Sequence, residues 1–85
     1  MISVTVEKPT TLIQAHDLLT QIRPARNASP QTWLAYYRRS AALYAEIAEI
    51  DRGHHHEATY WANRERTKAD RLQAKITERS SDNKP

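Results

Sequence analysis

The longest amphipathic pattern in the chain lies between Pro30 and Gly53. Apolar residues recur there every three or four positions, which places them on one broad face of a helix. Ser29 is a suitable N-cap, Pro30 suits the first helical position, and Gly53 can take the left-handed conformation that often ends a helix. We therefore predict a long helix over residues 30–52. Its apolar face comprises Trp33, Tyr36, Tyr37, Leu43, Tyr44, Ile47 and Ile50.

A second long helical pattern follows the turn and continues to residue 78. Its apolar side carries Trp61 and several alanines, and small residues allow two helices to approach closely. The two patterns predict an antiparallel helical hairpin formed by residues 30–52 and 54–78. One continuous helix through Gly53 is the alternative, at a cost of about 1 kcal/mol for a glycine inside a helix.

A shorter helix is predicted near the N-terminus, over residues 11–23. Thr11 and Gln14 have the spacing of a capping box, and Pro24 ends the apolar pattern. Before this helix, Ile and Val alternate with polar residues, as in a half-buried strand. We expect this short extended segment, residues 1–9, either to fray or to pair with the same strand of a second chain.

The predicted fold is therefore all-α, with one helical domain of three helices over residues 10–78. Residues 79–85 are polar, so we expect a disordered tail there. A chain of 85 residues buries only about 60 to 65% of its unfolded surface, which leaves its stability modest or shared with a partner.

Composition narrows the class of protein. Thirteen Lys and Arg against ten Asp and Glu give a net charge of +3, which permits weak attraction to nucleic acid or anionic lipid without indicating it. The absence of cysteine excludes disulfides and thiolate metal sites. The apolar runs are far shorter than the roughly 18 residues of a membrane span, and no signal-peptide pattern is present. We expect a cytoplasmic protein without a membrane partner.

The turn between the two long helices contains three consecutive histidines, His54, His55 and His56 (the histidine turn). Imidazole binds zinc, copper and nickel, but consecutive helical residues point about 100° apart, and the i, i+4 spacing is absent. A metal would need His16, Asp51 or a second chain to complete its ligands. We therefore expect no metal and no cofactor, and a solvated turn in which His54 or Asp51 helps to cap the next helix. A pH-sensitive contact is the alternative.

Aromatic and basic residues are interleaved over residues 33–39, which is the composition of a nucleobase-stacking platform. On a helix, however, the aromatic residues share the apolar face, and this favours core packing with a charged rim. The third helix also carries many basic residues, which acidic residues interrupt as on a solvated face. These basic residues are Arg64, Arg66, Lys68, Arg71, Lys75 and Arg79.

No catalytic pattern is evident in the sequence. The single glycine excludes a glycine-rich phosphate loop, and no serine lies in a nucleophile elbow. The carboxylates near the hairpin turn lie in a wet environment that does not favour a shifted pKa. We therefore expect that the protein is not an enzyme.

Part of the chain resembles a known group of proteins. The residues that carry the resemblance are Trp33–Arg39, Tyr44, Ile47, Asp51–Ala58 and Tyr60–Ala62. Together they make residues 29–66 similar to short actinobacterial helical proteins of unknown function. This resemblance implies a recurring helical hairpin and brings no activity or site with it. Gly53 and Ala58 are also similar to part of a tetratricopeptide repeat, but one unit is too few for a solenoid.

The sequence thus favours a small protein–protein interaction or regulatory module. Its partner is an unidentified protein, and a homodimer is one form that the module could take. Trp33, Tyr37, Arg38 and Trp61 are the expected contact residues, because Trp, Tyr and Arg dominate binding hot spots. The histidine turn is the second expected contact surface.

The alternative is a dimeric DNA-binding protein organised like a ribbon-helix-helix. The order of strand, helix and long helix agrees with this organisation, with Ser3, Thr5 and Glu7 facing the major groove. The start of the long helix at residues 27–29 would offer N–H groups to phosphate. These strand residues do not include the Arg, Lys, Asn or Gln that read bases, and the third helix is extra. Nucleic acid is therefore not the favoured partner.

Overall fold

The computed structural model describes residues 8–82 and shows an all-α fold within them. Three α-helices follow one another: α1 (Leu12–Gln21), α2 (Pro30–Ile50) and α3 (His55–Asp82). A short 3₁₀ helix, Arg52–His54, joins α2 to α3. The predicted three helices and the long antiparallel hairpin of α2 and α3 are confirmed. The extended segment predicted for residues 1–9 lies, apart from its last two residues, outside the described part of the chain.

The start of α2 follows the predicted capping pattern. Ser29 is the N-cap, and its Oγ accepts the N–H of Thr32 at 3.1 Å. Pro30 occupies the first helical position, where its missing N–H costs no hydrogen bond. Local side-chain chemistry therefore fixes this end of the hairpin.

The expectation of a left-handed Gly53 is wrong. No residue between 8 and 82 has a positive φ. Instead, α2 ends at Ile50, and the backbone tightens into the 3₁₀ turn as the N–H of His54 donates to the Asp51 carbonyl at 2.8 Å. The chain reverses direction through this turn and not through a glycine cap.

The capping box of α1 is present in a shifted form. Thr11 accepts the N–H of Gln14 through its Oγ1 at 3.2 Å. The Gln14 side chain reaches back to the N–H of Thr10, at 2.9 Å, one residue earlier than in the usual box. The helix ends at Gln21, two residues before the predicted end.

The core lies where α1 covers the half of the hairpin nearest the turn. Ile47 and Ala58 have no exposed surface, and the small alanines of α3 allow α2 to approach closely. Ile50, predicted to lie on the apolar face, is 51% exposed because it is the last residue of α2. The buried cluster is formed by Leu12, Ala15, Leu19, Tyr44, Ile47, Ala48, Ala58 and Ala62.

The far end of α3 differs from the prediction. The polar composition predicted an end near residue 78 and a disordered tail over residues 79–85. The helix instead continues through Asp82, and residues 83–85 lie outside the described part of the chain. Helix α3 has 28 residues and α2 has 21, so α3 is the longer arm of the hairpin. None of the helices in this described region combines the length and apolar character needed to cross a membrane.

Candidate functional site

The aromatic side chains of α2 attach the N-terminal part of the chain through their polar atoms. Three hydrogen bonds follow one another along α2: Tyr44 Oη with His16 Nδ1 at 2.7 Å, Tyr36 Oη to the Leu19 carbonyl at 2.8 Å, and Trp33 Nε1 to the Ala25 carbonyl at 3.1 Å. Helix α1 therefore runs antiparallel to α2, starting at the hairpin turn. The connector after α1 covers the region that the helix does not reach.

A small pocket of about 240 Å³ lies where the three helices meet (the aromatic pocket). Five aromatic residues of the hairpin line it, together with His16 and Glu65. These aromatic residues are Trp33, Tyr36, Tyr37, Tyr44 and Trp61. Both tryptophans of the chain therefore line one cavity.

Three cations line the same pocket, and each lies over one of its rings. The distances to the ring centroids are 5.5 Å for Arg23 over Trp33, 5.4 Å for Arg64 over Trp61 and 5.5 Å for Lys68 over Tyr37. The opposing charge is Glu65, which is 7% exposed and whose Oε2 lies 3.1 Å from Lys68 Nζ. The pocket is therefore lined by three cations and one carboxylate.

Burial raises the pKa of two phenols in this pocket, those of Tyr44 and Tyr36. Loss of water contact, helped by the charge of Glu65 and by Tyr36, raises the pKa of Tyr44 to about 12. The pKa of Tyr36 is also raised, mainly by burial, although its hydrogen bond with Ser40 and the charge of Arg23 oppose the shift. Tyr44 thus stays protonated to a higher pH than an ordinary phenol, and its hydroxyl can donate a hydrogen bond to His16.

A larger groove of about 440 Å³ adjoins the pocket at the open end of the hairpin (the basic groove). Its walls combine the start of α2 with the second half of α3 and mix apolar surface with three basic side chains. The lining residues are Ala28, Pro30, Trp33, Tyr37, Leu72, Lys68, Arg71 and Lys75. Trp33, Tyr37 and Lys68 line both cavities.

Asp51 and the histidine turn that follows it bond to the ends of two helices. Asp51 Oδ2 accepts the N–H of Leu12 at 2.9 Å and lies 3.0 Å from His54 Nδ1. These two contacts, the Leu12 N–H first, lower the pKa of Asp51. Asp51 therefore caps the start of α1. Neither Asp51 nor His54, the other expected cap, makes a side-chain hydrogen bond to a backbone N–H of the next helix.

His55 acts at the end of α2. Its Nδ1 donates to the Ala48 carbonyl at 2.7 Å, one of the carbonyls left without a partner when a helix ends. His56 is exposed, and its ring lies 5.4 Å from the His55 ring. Among the side chains of residues 8–79, no three His, Asp or Glu residues are grouped so that they could hold a metal ion.

The predicted contact residues occupy three separate places. Trp33 and Tyr37 line both cavities, and Trp61 lines only the aromatic pocket. Arg38 lies on a different face of the hairpin, where it donates to Gln73 Oε1 at 2.9 Å. The histidine turn lies at the closed end, and about 25 Å of helix separates it from Trp33.

Sequence reasoning missed Arg23 and Glu65 as pocket residues and treated Lys68 as part of a solvated face. One feature of the sequence could have identified Glu65 as a pocket residue. Glu65 follows Ala58 and Ala62 at helical spacing, so an acidic residue lies in the apolar series of α3. A carboxylate in such a position needs a partner, and Lys68 lies three residues further on.

Comparison with known proteins adds no relative. Neither a protein-family model, nor a curated protein, nor a solved structure matches the chain. The resemblance to short actinobacterial proteins therefore stays a prediction, and a proposal of function must be based on the two cavities.

Proposed function

We propose that this protein is a small non-enzymatic interaction module whose basic groove binds an acidic segment of a partner protein through an apolar anchor residue. The observation that carries the proposal is the composition of the groove, in which apolar surface lies beside Lys68, Arg71 and Lys75. Among residues 8–79, whose side chains the structure describes, no carboxylate lies within ion-pair distance of Arg71 or Lys75. A partner segment with Asp or Glu beside an apolar side chain complements this surface.

The aromatic residues of the groove support the same proposal. Trp33 and Tyr37 are half-buried, and each keeps part of its ring accessible. Aromatic side chains of this kind provide rigid contact area and are common binding hot spots. Leu72, also half-buried, extends the apolar surface along α3.

Peptide selection tests the proposal. Immobilised protein is presented with a random peptide library, and we expect enrichment of peptides that carry an apolar residue beside Asp or Glu. The double variant Arg71→Glu/Lys75→Glu should lose binding to the enriched peptides at least tenfold, because two attractive charges become repulsive. The single variant Arg66→Glu, which changes an exposed residue outside the groove, is the matched control and should retain binding.

Two results would contradict the proposal. One is enrichment of neutral or basic peptides, and the other is equal affinity of the groove variant and the parent protein. A low-salt gel shift with duplex DNA belongs in the same experiment. DNA binding that is lost in the groove variant while no peptide is enriched would favour the DNA-binding alternative.

The DNA-binding alternative has less support. Its ribbon depends on residues 1–7, which lie outside the described part of the chain. Helix α2 also uses its apolar face for contacts with α1 and α3 of the same chain. The cytoplasmic location remains a prediction.

A further inference from the structure

The aromatic pocket shares Trp33, Tyr37 and Lys68 with the basic groove, and its other lining residues give it further features of a ligand site. It is enclosed by residues of all three helices and has a volume of about 240 Å³. Sites for drug-sized ligands begin at about 300 Å³, so this pocket suits a compact ligand. Polar side chains, including His16 and Glu65, form much of its wall, which does not favour an apolar molecule.

Charge defines the class of ligand. Arg23, Arg64 and Lys68 carry three positive charges against the single negative charge of Glu65, which leaves an excess of two positive charges when all four groups are ionised. The two arginines come from different parts of the fold, so they can approach one ligand from two sides. Guanidinium groups bind carboxylates through two parallel hydrogen bonds.

The cations already lie over aromatic rings before any ligand binds. Each lies about 5.5 Å from the centre of an aromatic ring, and Lys68 is further held by Glu65. A side chain that is already positioned loses less freedom on binding. We infer that the aromatic pocket binds a compact organic dianion of the dicarboxylate class, with Arg23 and Arg64 as its principal contacts.

A substitution of Glu65 can distinguish a ligand site from a purely structural cluster. Its carboxylate repels a dianion and engages Lys68, so it limits the affinity of the pocket. Replacement by the nearly isosteric glutamine removes the negative charge and leaves Lys68 available to the ligand. Glu65→Gln should therefore bind a dicarboxylate about tenfold more tightly than the parent protein. A purely structural role for Glu65 would not strengthen binding.

Both tryptophans of the chain line the pocket, so their indole N–H signals report directly on ligand binding there. Succinate is titrated into the ¹⁵N-labelled full-length protein at constant ionic strength, and the two indole N–H signals are followed by NMR. Single Trp→Phe variants assign the signals. Succinamide, the neutral analogue, and inorganic phosphate are titrated in parallel.

We expect saturable shifts of the indole signals with succinate, and none with succinamide. Arg23→Gln and Arg64→Gln should each weaken binding about tenfold. Arg66→Gln makes the same change of charge outside the pocket and should leave the affinity unchanged.

Several results would overturn the inference. These are shifts that do not saturate, equal shifts with succinamide, equal loss of affinity in Arg66→Gln, weaker binding by Glu65→Gln, or phosphate binding as tight as that of succinate. Arg71 and Lys75 do not line this pocket, so failure here is distinguishable from failure of the peptide experiment.

Discussion

The closed and open ends of the helical hairpin differ in how completely the chain covers them. At the closed end, helix α1 packs over the core, and Asp51 and His55 bond to backbone groups at the helix ends. At the open end, α1 has already stopped at Gln21, and only the connector reaches Trp33. The closed end therefore supplies stability, and the open end leaves apolar and basic surface available for binding.

One continuous aromatic stripe shows this contrast. Tyr44, beneath α1, is 6% exposed, whereas Trp33 and Tyr37, three and two helical turns earlier in α2, are half-buried. The residue types are alike, so the difference comes from the length of α1. Helix α1 ends at Gln21, three residues before Pro24, and the position of this end decides which aromatic rings belong to the core.

The largest expected effect is loss of the closed-end core. Ile47 has no exposed surface, so Ile47→Ala should lower the free energy of unfolding by about 2 to 5 kcal/mol. Leu72→Ala, at the half-buried open end, should cost only about 1 kcal/mol. Urea denaturation followed by circular dichroism measures both, and equal losses would abolish the distinction between the two ends.

A smaller effect is expected from the carboxylate that joins the turn to α1. Asp51 Oδ2 accepts the N–H of Leu12 and contacts His54. Asp51→Asn removes the negative charge of this group, so the protein should unfold at a lower temperature. Asp70→Asn, on the exposed surface of α3, is the matched control.

The same carboxylate gives a prediction for pH. The pKa of Asp51 is lower in the folded protein than its ordinary value of 3.8, so its stabilisation is fully present above that value. The stabilisation is lost as the pH falls through the lowered folded pKa. Denaturation curves at acidic pH should show a weaker loss of stability for Asp51→Asn than for the parent. Identical acid dependence would show that the Asp51 contacts are not formed.

The hydrogen bond between Tyr44 and His16 should contribute less than the core. Tyr44→Phe keeps the ring but removes the hydroxyl, so we expect a loss of about 0.5 to 1.5 kcal/mol in the free energy of unfolding. The spectrophotometric titration of the parent should include a phenol with a pKa of about 12 that this variant lacks. Persistence of that step in Tyr44→Phe would mean that another tyrosine is responsible.

The smallest expected change is a gain in stability. Gly53 has no positive φ, and a Cβ atom added there would meet no atom within 4 Å. Gly53→Ala should therefore stabilise the protein by about 0.4 to 1 kcal/mol, because it restricts the unfolded chain. Destabilisation of this variant in the same urea experiment would indicate that the glycine is left-handed after all.

Local patterns predicted the architecture well. The three helices, the capping of α2 by Ser29 and the contact between Thr11 and Gln14 depend on residues within four positions of one another. Such interactions are encoded by spacing alone. The continuation of α3 from residue 79 through Asp82 was missed because polar composition does not prevent a helix from continuing.

Contacts between distant residues could not be predicted in the same way. Asp51 and Leu12 are 39 positions apart, and their bond exists only because α1 folds back along α2. The approach of Arg23 to the ring of Trp33 likewise depends on the path of the connector. Both cavities are products of tertiary packing. The sequence placed their Trp and Tyr residues on the apolar helix faces, but it did not reveal the charged residues that lie beside them.

Chemical-shift mapping tests the division between the two ends most directly. An acidic peptide obtained by library selection is titrated into ¹⁵N-labelled protein, and the backbone and indole signals are compared. We predict saturable changes at Trp33, Tyr37 and Lys75, with Ala48 and His55 unchanged. Changes concentrated around Ala48 and His55, with a silent open end, would contradict the account.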